Sequence, residues 1–188
     1  MAIKIYIDQG HNPVNPNAGA EGNGLREQDI VFPIGIELAE LLRENGNFEV
    51  RRSRPTADTQ LGTSNSTSLR LRVQDANSWG ADYFISLHTN ASDIASATGS
   101  EALVYSQPSS AAELGTDLLR ELNRSTGLPN RGVKSRPGLY VLRRTAMPAV
   151  LMELGFISNP EDAALMRDRP DLFAQGIYNG LLDYLNLR

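Results

Sequence analysis

The chain has no cysteine. That absence removes disulfides, thiolate metal sites and cysteine nucleophiles together, and it fits oxidising and reducing surroundings equally well. Basic charge is also short. A net charge of −4 and an isoelectric point near 5.2 speak against a nucleic-acid binder, which would carry a basic face. No stretch approaches the roughly 18 consecutive apolar residues of a membrane-spanning helix. The N-terminus, Met1 to Ile7, is too short and too alternating for a signal peptide. Three accounts stay open: a protein that stays where it is made, a domain cut from a longer secreted chain, or export by another route. Internal repeats and linkers are absent as well. The length of 188 residues therefore suits one domain with a sizeable core, expected to span residues 1–188.

What is present alternates between two periods. Ile3, Ile5 and Ile7 alternate with Lys4 and Tyr6, a strand ending at Asp8-Gln9-Gly10-His11. Asn12 to Gly24 is rich in Asn, Gly and Pro and reads as a long, functional loop. From Glu27 the spacing turns helical, with Ile30, Ile34, Leu38, Leu41 and Leu42 on one face. Pro33 requires that helix to start just before it or to kink, and Gly46 stops it. Phe48 to Ser53 is a weaker strand. A polar loop then leads to Ser68, a cap for a helix carrying Leu69, Val73 and Ala76. Strands follow at Tyr83–Leu87 and Glu101–Tyr105. Ser110 and Glu113 suggest a capping box for a helix running to Gly127. Gly138–Arg143 and Ala149–Met152 read as further strands. Asn159-Pro160-Glu161-Asp162 combines a cap, a proline at the first position and acids at the positive helix end. A closing helix carries Phe173, Ile177, Leu181 and Tyr184. The alternation predicts an α/β domain with an open, mostly parallel sheet of about six strands, covered by helices on both faces.

The only two histidines, His11 and His88, fall directly after two of these strands. Sites in open α/β sheets form at the carboxyl ends of strands. A third strand, Ala149 to Met152, delivers a single carboxylate, Glu153, to the same edge, followed by Gly155 and a helix start. Two imidazoles and a carboxylate are common protein ligands of a catalytic zinc, and a second carboxylate must stay off the metal to take a proton from water. Glu27 and Glu153 are the candidates. Glu27 opens the first helix and can fold back towards His11, or it can simply complement the helix dipole. Glu153 follows an apolar strand, where desolvation would raise its pKa and suit it to act as a base.

Taken together, Asp8-Gln9-Gly10-His11, the loop reaching Glu27, Ile85 to Ala91 and Met147 to Asn159 resemble the signature blocks of the zinc-dependent N-acetylmuramoyl-L-alanine amidases of the amidase type 3 family. Leu69 to Asn77 resembles that family's helix before the second histidine. Arg131-Gly132-Val133-Lys134 and Tyr140 to Arg143 resemble the approach to its last motif. The resemblance covers essentially the whole chain in order. It implies hydrolysis of the amide between the lactyl group of N-acetylmuramic acid and the first L-alanine of the peptidoglycan stem peptide. It implies one zinc ion held by His11, Glu27 and His88, with Glu153 as the general base.

The chain departs from the pattern at Gln9, often proline in the family, and at Asn12-Pro13, which replace glycines. The loop before Glu27 is long and brings Glu21 into competition as a ligand. No insertion is long enough for the autoinhibitory helix that some members carry. Asn90 is a candidate for contacting substrate or orienting His88. Of the cations Arg131, Lys134, Arg136, Arg143 and Arg144, Arg143 is the candidate for contacting substrate carboxylates. Asp8 is either an outer partner of the metal site or a turn acid. Such a domain is expected to act outside the cell or at the cell wall, as a monomer, with a targeting or activating protein partner. A wall-binding module without activity and a zinc carboxypeptidase or aminopeptidase are the alternative readings.

Overall fold

A computed structural model describes residues 2–188. In chain order the elements are β1 (Ile3–Gln9), β2 (Glu21–Gly22), β3 (Leu25–Arg26), α1 (Glu27–Asn45), β4 (Phe48–Arg52), α2 (Asn65–Trp79), β5 (Tyr83–Asn90), β6 (Ser100–Val104), α3 (Ser110–Thr126), β7 (Asn130–Ser135), α4 (Tyr140–Arg144), β8 (Ala149–Phe156), α5 (Pro160–Asp168) and α6 (Pro170–Tyr184). Six strands form one sheet in the order β4-β1-β5-β8-β6-β7. The pairs β1–β4, β1–β5 and β5–β8 are parallel. β6 runs antiparallel to β8 and parallel to β7, so the last two strands are reversed relative to the other four.

The period of two along each strand divides the core. Ile5, Ile7, Ile85, Leu87, Val150 and Met152 face a thick layer made with α1, α3 and α6, where Leu38, Leu118, Phe173 and Ile177 are fully buried. Each such side chain contributes about 1.5–3 kcal/mol of burial. On the opposite face Tyr6, Phe84, Leu103, Ala149 and Leu151 meet a thinner layer from α2 and α4. His88, Glu153 and Glu101 have the same parity as this thinner face. The site is therefore built where the cover is lightest.

The open, mostly parallel six-stranded sheet is as expected, and several local elements differ. Gly138–Arg143 is not a strand. Val141 and Leu142 are buried in succession and Arg143 and Arg144 exposed in succession, a helical arrangement that forms α4. The remaining strand is β7, whose Gly132 and Lys134 hid it from a period-two search. Ser68 does not cap α2. Ser64 does, in a reciprocal capping box with Thr67, and Ser68 lies buried one turn inside. Ser109 rather than Ser110 caps α3, accepting from the Ala112 N–H. The Asn12–Gly24 loop closes on a two-residue hairpin, β2–β3. α1 starts at Glu27 and carries Pro33 inside it. Asn159 caps α5 as expected, accepting from Glu161 and Asp162 N–H.

Candidate metal centre and its base

Two strands run further than their apolar cores. β5 continues through His88 to Asn90, and β8 continues through Glu153 and Gly155 to Phe156. Gly155 is therefore a strand residue, and the helix start comes only after Phe156. His88 and Glu153 sit inside paired strands, in register with each other. His11 does follow its strand, at φ 65° in the left-handed region, where a non-glycine residue costs about 1–3 kcal/mol.

Arg72 offsets that cost. Fully buried, its Nη1 donates to Asp8 Oδ1 at 2.6 Å and to the Gln9 carbonyl at 2.7 Å, and its Nη2 donates to the His11 carbonyl. Asp8 also accepts from Ser86 Oγ at 2.7 Å. Burial alone would raise the Asp8 carboxyl, but the Arg72 guanidinium outweighs it and holds Asp8 below the ordinary carboxylate range. Asp8 is thus part of the frame behind the site, one guanidinium removed from His11.

Glu27, the first residue of α1, is buried and accepts four contacts. Oε1 meets His88 Nδ1 at 2.9 Å and accepts from the Thr89 N–H at 2.9 Å. Oε2 lies 3.1 Å from His11 Nε2 and accepts from the Ala20 N–H at 2.9 Å. Burial pushes the carboxyl up, and the two imidazoles more than reverse it, leaving it well below the ordinary glutamate value. His88 moves the other way. Burial disfavours its charged form, but the Glu27 carboxylate overcomes this and raises it. Glu21, the competing acid, is exposed on β2, so Glu27 takes the place beside the imidazoles.

One ligand atom from each of His11, Glu27 and His88 lies within 4.8 Å of the others. The imidazole rings stand edge to face, with centroids 4.8 Å apart. His11 Nδ1 is buried without a partner among the described residues. Two nitrogens, one oxygen and an unused buried imidazole nitrogen match the donor chemistry of a zinc site. Space around them is tight. A Cβ on Gly10 would lie 2.6 Å from His88 Cε1, and one on Gly19 would lie 2.8 Å from Glu27 Oε2.

Glu153 makes no hydrogen bond to His11, Glu27 or His88, and its Oε2 is buried with no partner among the described residues. Burial pushes its carboxyl up to about 7; His88 opposes this, and Glu27 and Glu101 add to it. A carboxylate tuned close to neutral pH beside a cluster that could hold a metal is suited to accept and return a proton. A cavity of about 110 Å³ lies beside His11 and His88 and is lined also by Leu139, Tyr140 and Val141 at the start of α4.

Two candidate residues do other work. Asn90 makes no side-chain hydrogen bond to His88; its Nδ2 donates to Glu101 Oε1 at 3.3 Å and its Oδ1 accepts from the Ala91 N–H. Arg143 is exposed on α4 and its side chain makes no hydrogen bond or ion pair among the described residues. Two residues escaped the sequence reading. Arg72 falls at the i+3 position of the Leu69-Val73-Ala76 face, where a charge signals a buried partner. Glu101 stands in a strand that is buried at every position, the same signal that singled out Glu153.

The N-acetylmuramoyl-L-alanine amidase family matches residues 5–183. The chain is 36% identical to the amidase CwlM of Bacillus licheniformis over 189 residues, covering 98% of this chain and 70% of that protein. It superposes on the catalytic domain of CwlV from Bacillus (Paenibacillus) polymyxa with a TM-score of 0.86 at 29% identity, each chain 99% covered. It superposes on the CwlD amidase of Clostridioides difficile, solved with the GerS lipoprotein, with a TM-score of 0.90 at 27% identity, covering 99% of this chain and 100% of that one. The two histidines and two glutamates that meet at one sheet edge thus sit in a fold shared with these enzymes, and the chain belongs to the N-acetylmuramoyl-L-alanine amidase family, a family of hydrolases.

Proposed function

We propose that this chain is a zinc-dependent peptidoglycan amidase that cleaves the bond between the lactyl carbonyl of N-acetylmuramic acid and the L-alanine nitrogen. The observation that carries the reading is the division of labour at the sheet edge. Three donors converge within 4.8 Å, and a fourth group, Glu153, stands one strand away with a free, buried oxygen. His11, Glu27 and His88 would hold the metal. When bound, zinc would polarise the carbonyl and make a water more acidic. Glu153 Oε2 takes one proton from the attacking water and returns it to the departing amine nitrogen. Water and amide are thereby converted to a lactyl carboxylate and a peptide with a free L-alanine amino terminus. Arg72, Asp8 and the Thr89 and Ala20 N–H groups keep the donors in place.

The reading places the protein at the cell wall, as a monomer. The lipoprotein bound to the C. difficile neighbour supports a targeting or activating protein partner. Mass spectrometry of products from purified peptidoglycan, with and without a chelator, tests the proposal. New L-alanine amino termini that disappear with the chelator are expected. Sacculi that bind without releasing soluble fragments would favour a wall-binding module, and cleavage within the peptide would favour a peptidase.

A further inference from the structure

Strand order gives the site a direction. Across the thinly covered face the row runs from His88 on β5, to Glu153 on β8, to Glu101 on β6, to Lys134 and Arg131 on β7. Because β6 is reversed, its N-terminal end meets this edge and sets Glu101 in register with Glu153. Glu101 is buried, yet it draws in two cations. Lys134 Nζ donates to Glu101 Oε2, and Arg131 Nε lies 3.5 Å from the same oxygen. The other oxygen takes the Asn90 amide. Lys134 and Arg131 keep 35% and 38% of their side-chain exposure, against 8% for Glu101. One carboxylate fixes two half-exposed cations, so one positive charge is left over and faces solvent. Arg131 is held further by stacking over the Phe156 ring at 4.9 Å.

The proton path says which half of the substrate lies here. The base that returns a proton to the departing nitrogen must be near it, and a peptide that runs on from Glu153 away from the two histidines follows the strand order across the sheet. Beyond Glu153 it meets β6 and then β7. Two strand spacings are about 10 Å, roughly the reach from a scissile nitrogen through one residue to a carboxylate on the next, plus an ion-pair contact. We propose that Lys134 and Arg131, positioned by Glu101, form a subsite for a free carboxylate on the second residue of the departing peptide. The subsite makes the enzyme discriminate acid from amide at that residue. This rests on the amidase reading given above and adds the polarity and the charge preference of the substrate.

The test uses muramoyl tripeptides that differ only in a free carboxylate or a carboxamide on the second residue. Wild-type protein should favour the carboxylate by about 10–100-fold in kcat/KM, the range of a charge-assisted hydrogen bond. Lys134→Met and Arg131→Met should each reduce that ratio several-fold, and the double variant should bring it close to one. Arg167→Met, an exposed cation on α5, should leave the ratio at the wild-type value. No acid preference in the wild type, or variants that slow both substrates equally with the ratio intact, would overturn the subsite. Binding of the product peptides, followed by amide chemical shifts, reads the same contact without turnover. Protein that cleaves neither substrate yet still prefers the acid product through Lys134 would sink the amidase reading and leave the subsite standing.

Discussion

His88 and Glu153 are in-register neighbours on parallel strands, one turned into the donor cluster and the other left with an unpartnered oxygen. The ladder between β5 and β8 fixes their separation, so Glu153 cannot drift onto the His11–Glu27–His88 cluster or away from it, as the proposed base role requires. Glu153→Gln should therefore abolish proton transfer and keep the metal. Hydrolysis is expected to drop by about 10²–10⁴-fold, with zinc content by elemental analysis unchanged. Near-normal turnover would remove Glu153 from the mechanism; loss of zinc would make it a ligand.

Glu153 also predicts a pH dependence with a definite sign. Its folded-state value is raised to about 7, so the folded protein holds a proton that the unfolded chain releases near pH 4.3. Stability from this group is present at low pH and falls as pH rises through that window. In metal-free protein the stability gap between Glu153→Gln and wild type should move by about 1–3 kcal/mol in favour of the variant from pH 5 to pH 8. Denaturant melts at the two pH values measure it, and a gap that ignores pH would contradict the buried-acid assignment. The ascending limb of kcat/KM should lie at or below pH 7, because a bound dication lowers the value further.

Arg72 is expected to serve both stability and metal affinity. Arg72→Met leaves Asp8 buried without its cation, a loss of about 3–5 kcal/mol, and frees the His11 carbonyl. Zinc affinity of the folded variant, measured by chelator competition, should weaken by about 10–100-fold. Arg72→Lys restores the charge without the fork and should fall between the two. Asp8 is held below the ordinary range, so its contribution is lost as pH falls below about 4. Asp8→Asn should flatten that acid limb. Wild-type zinc affinity in Arg72→Met would show that the guanidinium is purely structural.

Gly10→Ala tests space alone. The added methyl would sit 2.6 Å from His88 Cε1 and from the Leu87 carbonyl oxygen. The imidazole can give way to the first contact, but the Leu87 carbonyl is β5 backbone, so the chain at residue 10, and His11 after it, must shift as well. Zinc affinity should drop by at least about tenfold while the far-ultraviolet circular dichroism stays native. Unchanged affinity would mean the His88 ring has room that the structure does not give it.

The readable parts of the sequence are those governed by local period. Ile3-Ile5-Ile7 and the Ile30-Ile34-Leu38 face each announce their element because one side of it must be buried. α4 failed that test. A five-residue helix holds less than two turns of pattern, and Val141-Leu142 fits a strand as well as a helix until α2 and β8 cover it. β7 is an edge strand with glycine and charge in it, so its apolar signal is weak. The caps at Ser64 and Ser109 were displaced by four residues and one residue within serine-rich runs where several serines could serve.

The same divide holds at the site. The sequence by itself determined the set of reactive groups: no cysteine, two histidines at or near the carboxyl ends of apolar strands, and acids where apolar residues belong. Residue type and spacing are local properties, and they name the chemistry. Tertiary structure decided which of those groups meet and on which side. It chose Glu27 over Glu21, turned Asn90 from His88 to Glu101, buried Arg72 beneath His11 and left Arg143 in solvent. It also reversed β6 and β7, which carried Glu101, Lys134 and Arg131 to the edge where Glu153 ends. Strand order and direction are set by long-range burial of the two sheet faces, and no window of sequence contains that information.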